Sequence, residues 1–271
     1  MLCVLFLGLL PAQADSAAST PEQRLVFATQ SARQYKFAAS ANRIVLHSKP
    51  LLRWDNRVVR EDDGLLFLWT EEQTGRPIAA AQFFLQGPDW HHEFQSLSEK
   101  GFDVSWSADR KWSWQPDQPG IRFTAIAADA PGKTPAARLR QMRDVAERYT
   151  GAVNPEESDR FENPHELRLL TTPIYRYAAA ESGVVDGAIF VYAQGTNPEV
   201  LLLLEARQAG EKTQWQRAFA PMSSFQLRVR EGEQLVYERG RQKVPTLDMH
   251  DPYHFHWKAV QDDSIRLEAP K

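Results

Sequence analysis

Asp63-Gly64-Leu65-Leu66-Phe67-Leu68-Trp69 returns, apolar for apolar, as Asp186-Gly187-Ala188-Ile189-Phe190-Val191-Tyr192. The offset is 123 residues, and the same offset carries Pro50-Leu51-Leu52-Arg53-Trp54 onto Pro173-Ile174-Tyr175-Arg176-Tyr177. Leu65–Trp69 does not alternate between apolar and polar positions, nor does Leu201–Leu204. Runs of this length and composition are expected to be central strands covered on both faces.

Working outward, Gly75-Arg76-Pro77 meets Thr196-Asn197-Pro198, and Trp90 and Phe94 meet Trp215 and Phe219. Phe102, Val104, Trp106, Trp112 and Trp114 then answer Phe225, Leu227, Val229, Leu235 and Tyr237. Upstream, Thr20-Pro21 with Arg24-Leu25, Ala32 and Tyr35 parallels Thr134-Pro135 with Arg138-Leu139, Ala146 and Tyr149. A threonine cap followed by proline in the first turn opens a helix. In the second stretch Leu139, Met142, Val145, Ala146 and Tyr149 keep helical spacing, and Gly151 is read as its end. Strand-like runs follow each helix, with hairpins near Ser107–Arg110 and Glu231–Gln234. Gln226–Arg230 alternates strictly, as a strand with one wet face does. Short connections favour antiparallel pairing.

Matches in the same order along the chain point to an internal duplication. The expected fold is α+β: two tandem pseudo-symmetric units, each a helix packed on a curved antiparallel sheet. The boundaries read as a signal peptide over 1–14, a first unit over 15–115, a linker with one strand (Ile121–Ile126) over 116–133, a second unit over 134–243 and a C-terminal tail over 244–271. The junction of the two units is the expected binding cleft.

The leader reading rests on the apolar run Leu2–Leu10 and on Ala12-Gln13-Ala14, which predicts cleavage before Asp15. The run is too short for a stable membrane span, which needs about 20 apolar residues. The one cysteine, Cys3, lies in this leader. Disulfides, thiolate metal sites and cysteine nucleophiles are therefore excluded from the mature chain. Of 271 residues, 42% are hydrophobic and 25% charged, as in a globular protein. Lysine and arginine number 32 against 35 acidic residues, a net charge of −3. That balance argues against a nucleic-acid partner, which would need a basic face.

Asp63–Pro77, His91–Ser98, Arg138–Tyr149, Leu167–Tyr177 and Asp186–Arg207 together resemble a family of exported planctomycete proteins of unknown function. The resemblance spans roughly Gln34 to Tyr253. It implies export, to the periplasm or the extracellular space, and a shared fold; it implies no reaction.

Two segments could carry metal or acid–base chemistry. His91-His92-Glu93 places His91 and Glu93 on one strand face and His92 on the other. His250-Asp251-Pro252-Tyr253-His254-Phe255-His256 places His254 and His256 on one face, with His250 or Asp251 as a third donor. The plainer reading is that Tyr253, Phe255 and Trp257 pack this segment on a sheet. Arg53 with Asp63, and Arg176 with Asp186, are expected to be cross-strand ion pairs that hold register, and the Asp-Gly pairs are read as turns. Trp106, Trp112 and Trp114 could form a sugar-stacking row, but apolar counterparts favour packing. Neither a nucleophile elbow nor a phosphate-binding glycine loop is present. The expected function is a non-enzymatic binding or scaffold protein of the cell envelope, with an envelope protein or a glycan as partner and no cofactor. The alternative is a metal-assisted hydrolase, with a divalent metal held by His91, His92 and Glu93 together with His250, His254 and His256.

Overall fold

The computed structural model describes residues 20–38, 42–56, 61–87, 89–156, 160–244 and 248–261. The leader and its cleavage point lie outside these residues. In chain order the elements are α1 (Pro21–Arg33), β1 (Tyr35–Phe37), β2 (Ile44–Leu46), β3 (Leu52–Asn56), β4 (Glu61–Glu71), β5 (Pro77–Gln86), β6 (Asp89–Ser96), β7 (Val104–Trp106), β8 (Asp109–Trp114) and β9 (Thr124–Ala125). Then come α2 (Pro135–Ala146), β10 (Tyr149–Asn154), β11 (His165–Ala179), β12 (Val184–Gln194), β13 (Asn197–Ala209), β14 (Lys212–Pro221), β15 (Gln226–Glu231), β16 (Gln234–Arg239) and β17 (Tyr253–Gln261).

The α+β expectation, with each unit a helix on a curved sheet, is overturned. The protein is mostly β, with two α-helices among the described residues and several antiparallel sheets, one curled into a half-barrel. One sheet has the order β1-β7-β8, a second β16-β15-β10-β11-β12-β13-β14-β9, and a third β17-β6-β5-β4-β2, with β3 also on β4. The physical reason is reach. The helices span 13 and 12 residues and bury four side chains each, whereas β5, β12 and β13 run for 10 to 13 residues and bury both faces along most of their length. Most of the apolar surface removed from water is therefore strand on strand.

Both helices start where their caps predict: Thr20 Oγ1 accepts from Gln23 N, and Thr134 Oγ1 from Ala137 N. The second helix does not run to Gly151. It ends at Ala146, and Tyr149–Asn154 is a strand with Gly151 inside it, packed against Leu167. Tyr149 keeps helical spacing, yet its side chain reaches the same core from the start of a strand. Leu65–Trp69 and Leu201–Leu204 are central strands with almost no exposure, as their composition predicts.

Three apolar clusters form the core. One lies between α1 and the inner faces of β4, β5 and β6, another between α2 and the second sheet. The third fills the junction: Leu66, Leu68 and Ala80 pack against Ile189, Val191, Leu201 and Leu203. The expected cleft is closed there by sheet-on-sheet packing. Gln82 ties the layers by donating to Pro198 O (3.0 Å) and Met222 O (2.7 Å). Nearby, Tyr177 donates to Glu205 at 2.6 Å, and Arg207 lies 2.7 Å from the same carboxylate, which burial pushes upward in pKa.

The predicted cross-strand ion pairs form, and each recruits a second arginine from a helix. Asp63 binds Arg53 and Arg24; Asp186 binds Arg176 and Arg138. Arg53 also donates to Pro21 O, and Arg176 to Pro135 O, so both arginines tie a strand to a helix start. The aspartates sit in strands at register shifts, not in turns. Asp63 takes φ 51°, tolerable for aspartate in a bulge. The glycines beside them are required by close approach. A Cβ on Gly64 would fall 2.1 Å from the Trp54 ring, and one on Gly187 2.5 Å from the Tyr177 ring.

Candidate functional site

β17 is the edge strand of the third sheet, antiparallel to β6, with His256 opposite His92, Phe255 opposite Glu93 and His254 opposite Phe94. The two histidine-bearing segments, far apart in sequence, are thus adjacent. Strand alternation divides their side chains between two faces.

On the face under α1, Tyr35 stands between two imidazoles. Its hydroxyl lies 2.6 Å from His92 Nδ1 and 3.1 Å from His256 Nδ1, and Ser31 Oγ lies 3.5 Å from His92 Nε2. One assignment satisfies all of them: the phenol donates to His92, His92 Nε2–H donates to Ser31, and His256 Nδ1–H donates to the phenol oxygen. Burial, with His256 and His91 nearby, holds His92 well below the usual imidazole range. Burial and His254 bring His256 down to about 4. His254 is lowered by burial, and Tyr35 is raised by it. The cluster is neutral near pH 7. Phe83 stacks on His92 at 3.7 Å and Trp112 on His256 at 5.2 Å.

Of the six expected metal donors, His92 and His256 meet through Tyr35. His254 contacts Trp112, His250 Nδ1 faces Gln115 O at 3.0 Å, and His91 and Glu93 lie on the opposite face. Among the described residues no group of three or more His, Cys, Asp or Glu side chains is placed to hold a metal.

The other face opens into a slot of about 230 Å³ at one edge of the inter-sheet junction. Trp54, Phe84 and Glu93 come from the third sheet, Asn197 from β13 of the second, and Met222 and Phe225 from the β14–β15 connection. Phe255 and Trp257 of β17 form one lip, and Arg241 the other. The aromatic rings form a chain: Trp54–Phe84 at 5.8 Å, Phe84–Phe255 at 6.1 Å and Phe255–Trp257 at 5.6 Å. Trp257 is 53% exposed, the largest apolar side chain so presented among the described residues. The His91 ring lies against it at 4.4 Å, tilted by 48°. Glu93 is buried on the floor and accepts from the Tyr253 hydroxyl. Arg239 lies over the Tyr253 ring at 4.1 Å, while Arg241 donates to Pro155 O and Glu156 O.

Sequence reading found Glu93 and the histidines but not the slot. In the sequence Trp257 reads as a packing residue, Trp54 and Phe225 as matched apolar positions of the two copies, and Tyr35 as part of the first helix match. The available signal was period two in β17: Tyr253, Phe255 and Trp257 share the face opposite to His254 and His256. Trp106 and Trp114 are buried in the first core and make no solvent-facing row. Among the described residues no helix is long and apolar enough to cross a membrane. Comparison with protein-family models, with curated proteins and with solved structures finds no match for this chain.

Proposed function

We propose that the protein is an exported, non-enzymatic binding protein of the cell envelope, periplasmic or extracellular, and that the aromatic slot at the sheet junction is its ligand site. One observation carries this reading: a half-exposed indole with further aromatic rings behind it lines a concavity that ends on a buried carboxylate. A concavity lined by several aromatic rings with a convergent polar group is the default place for a ligand. The resemblance to the exported planctomycete family and the apolar leader support export. The Arg–Asp–Arg arrangement, found twice with its strand pair at an offset of 123 and its helix arginine at 114, supports internal duplication within a mostly β protein. Mass spectrometry of the secreted or periplasmic fraction is expected to find a chain beginning at Asp15. Nuclear magnetic resonance with a set of ring-bearing fragments is expected to shift the Trp257 indole signal. A set that moves no slot resonance would remove the binding reading.

A metal-assisted hydrolase is the second reading, and the pairing of β6 with β17 is what favours it. It requires zinc to raise the melting temperature and His256→Ala to abolish that rise.

A further inference from the structure

We infer that the slot binds a small organic carboxylate with a flat apolar body, its ring stacked on Trp257 and Phe255 and its carboxylate held by the Arg241 guanidinium. The inference rests on the slot being the ligand site and adds the class of ligand.

The protein's own carboxylates show how its arginines take such a group. Arg53 donates from Nε and Nη2 to the two oxygens of Asp63. Arg176 donates from the same two nitrogens to the two oxygens of Asp186. The two N–H groups form a fork that matches the edge of a carboxylate. On Arg241 this fork is unspent. Only its Nη1 is engaged, donating to Pro155 O and Glu156 O at 3.0 Å each. Among the described residues Arg241 has no carboxylate partner, and its Nε and Nη2 make no hydrogen bond.

That guanidinium is also held in place. The two carbonyls fix one end of its plane, and the Phe225 ring lies 5.1 Å from its central carbon. Half-buried, it forms one lip of the slot and faces the aromatic lip of Phe255 and Trp257. A partly buried charge without a counterion is costly, and a ligand carboxylate would relieve that cost. An amine would meet repulsion there, and a neutral ring would cover the guanidinium and leave its fork empty.

Glu93 does not reverse this preference. It is 5% exposed and accepts from the Tyr253 hydroxyl. Arg239 lies over the Tyr253 ring at 4.1 Å and interacts with the Glu93 charge. The floor carboxylate is therefore answered within the fold, whereas Arg241 at the mouth is not. A single guanidinium suits a single negative charge better than a phosphate dianion. The rest of the lining sets the body of the ligand. Trp257 and Phe255 offer accessible ring faces, with Phe84 and Trp54 behind them. About 230 Å³ is small for a ligand pocket, which limits that body to a ring or two.

The test is a titration of the whole mature protein, followed by calorimetry and by the nuclear magnetic resonance signal of the Trp257 indole. The probes are benzoate, 2-naphthoate and indole-3-acetate. Their primary amides supply the same rings without charge, benzylamine supplies a ring with the opposite charge, and acetate and inorganic phosphate supply anions without a ring. At least one aryl carboxylate is expected to bind saturably and shift Trp257, and its amide to bind at least about tenfold more weakly. Arg241→Lys, which keeps the charge and removes the fork, is expected to weaken binding about tenfold or more. Trp257→Ala, at an exposed position, is expected to weaken it similarly and guards against a folding defect in the Arg241 variant. An amide or benzylamine that binds as tightly as every carboxylate overturns the assignment while leaving the slot as the site. Ring-bearing fragments that shift Trp257 when no carboxylate binds do the same. Acetate or phosphate binding as tightly as the aryl acids overturns the apolar body. Undiminished binding in a folded Arg241→Lys protein overturns the role of the guanidinium. Silence from every probe and every fragment removes the slot itself.

Discussion

Tyr35 and Tyr149 each begin the strand that follows a helix, and each meets the middle of a strand beneath that helix. Tyr35 reaches His92, between Trp90 and Phe94; Tyr149 reaches Arg217, between Trp215 and Phe219. The surroundings correspond, and the partners do not. His92 is neutral and fully buried, sealed by His256 from β17. Arg217 is charged, 14% exposed and paired with Glu231, which also holds Arg148. The edge explains the difference. β6 is covered by the nine-residue β17, whereas β14 is flanked only by the two residues of β9. Where a long strand closes the edge, the polar group is one that can stay uncharged. Where the edge stays open to water, a guanidinium and its carboxylates are tolerated.

Exchanging the partners is the strongest way to break this explanation. His92→Arg is expected to destabilise the protein by about 3–5 kcal/mol, since the new charge would be buried without a counterion. Arg217→His is expected to cost about 1 kcal/mol, because Glu231 retains Arg148 in a partly wet site. Urea unfolding measures both. Equal losses would show that depth is not what separates the two regions.

The two aspartates sharpen the same point. Asp63→Ala and Asp186→Ala each remove the carboxylate that two arginines share, for a loss of about 2–3 kcal/mol. The arginines around Asp186 are the more buried, Arg138 at 10% against 21% for Arg24. Asp186→Ala is therefore expected to be the more damaging of the two in the same unfolding assay. The reverse order would mean that contacts other than burial dominate.

The strands were legible because their signal is local. Leu65–Trp69 and Leu201–Leu204 could be nothing but covered strands, and Arg53–Asp63 and Arg176–Asp186 declared themselves by recurring together. Fold class was misread because two clear helix caps carry more pattern than they carry mass; α1 buries Phe27, Ala28, Ser31 and Ala32, and no more. The site was half legible for a related reason. Alternation in His91–Glu93 and His254–His256 told which side chains share a face, but not which strands are neighbours. Only the pairing of β17 with β6 turns those faces into a sealed imidazole pair and an open slot.

Acid is expected to separate the two regions along the pH axis. His256 is held at about 4 in the fold and titrates near 6.5 when unfolded. Between those values the unfolded chain binds the extra proton, so stability rises with pH in that window. The stability is full above about pH 6.5 and is lost as pH falls towards 4, by about 2 kcal/mol after allowance for partial access of water. His92 and His254, lowered in the same direction, add to that slope. Glu231 behaves differently: its arginines hold its carboxyl below the usual range, so its contribution is complete above its unfolded value and is lost only as pH falls lower still. Melting temperatures between pH 7 and 4 are expected to fall, with a shallower fall in His256→Phe. Arg217→Lys, which adds no group that titrates there, should leave the slope between pH 7 and 5 unaltered. An unchanged profile in His256→Phe would show that the imidazole pair is not the source of the acid sensitivity.

The smallest expected effect concerns two of the exposed large apolar side chains, Trp257 at 53% and Leu235 at 40% exposure. Truncating either to alanine away from packed surroundings is expected to change stability by no more than about 0.5 kcal/mol. Their roles divide on binding. Leu235 lies on the β15–β16 hairpin and lines no cavity among those around the slot, whereas Trp257 forms a slot lip beside Phe255. In the fragment experiment Trp257→Ala should erase the slot shifts, and Leu235→Ala should preserve them. A Trp257→Ala protein that loses stability instead, by about 2 kcal/mol or more, would show that the indole is packed as a structural cover over His91. In that case its exposure would reflect an incompletely covered edge strand, and the aromatic lip would cease to be an argument for a ligand.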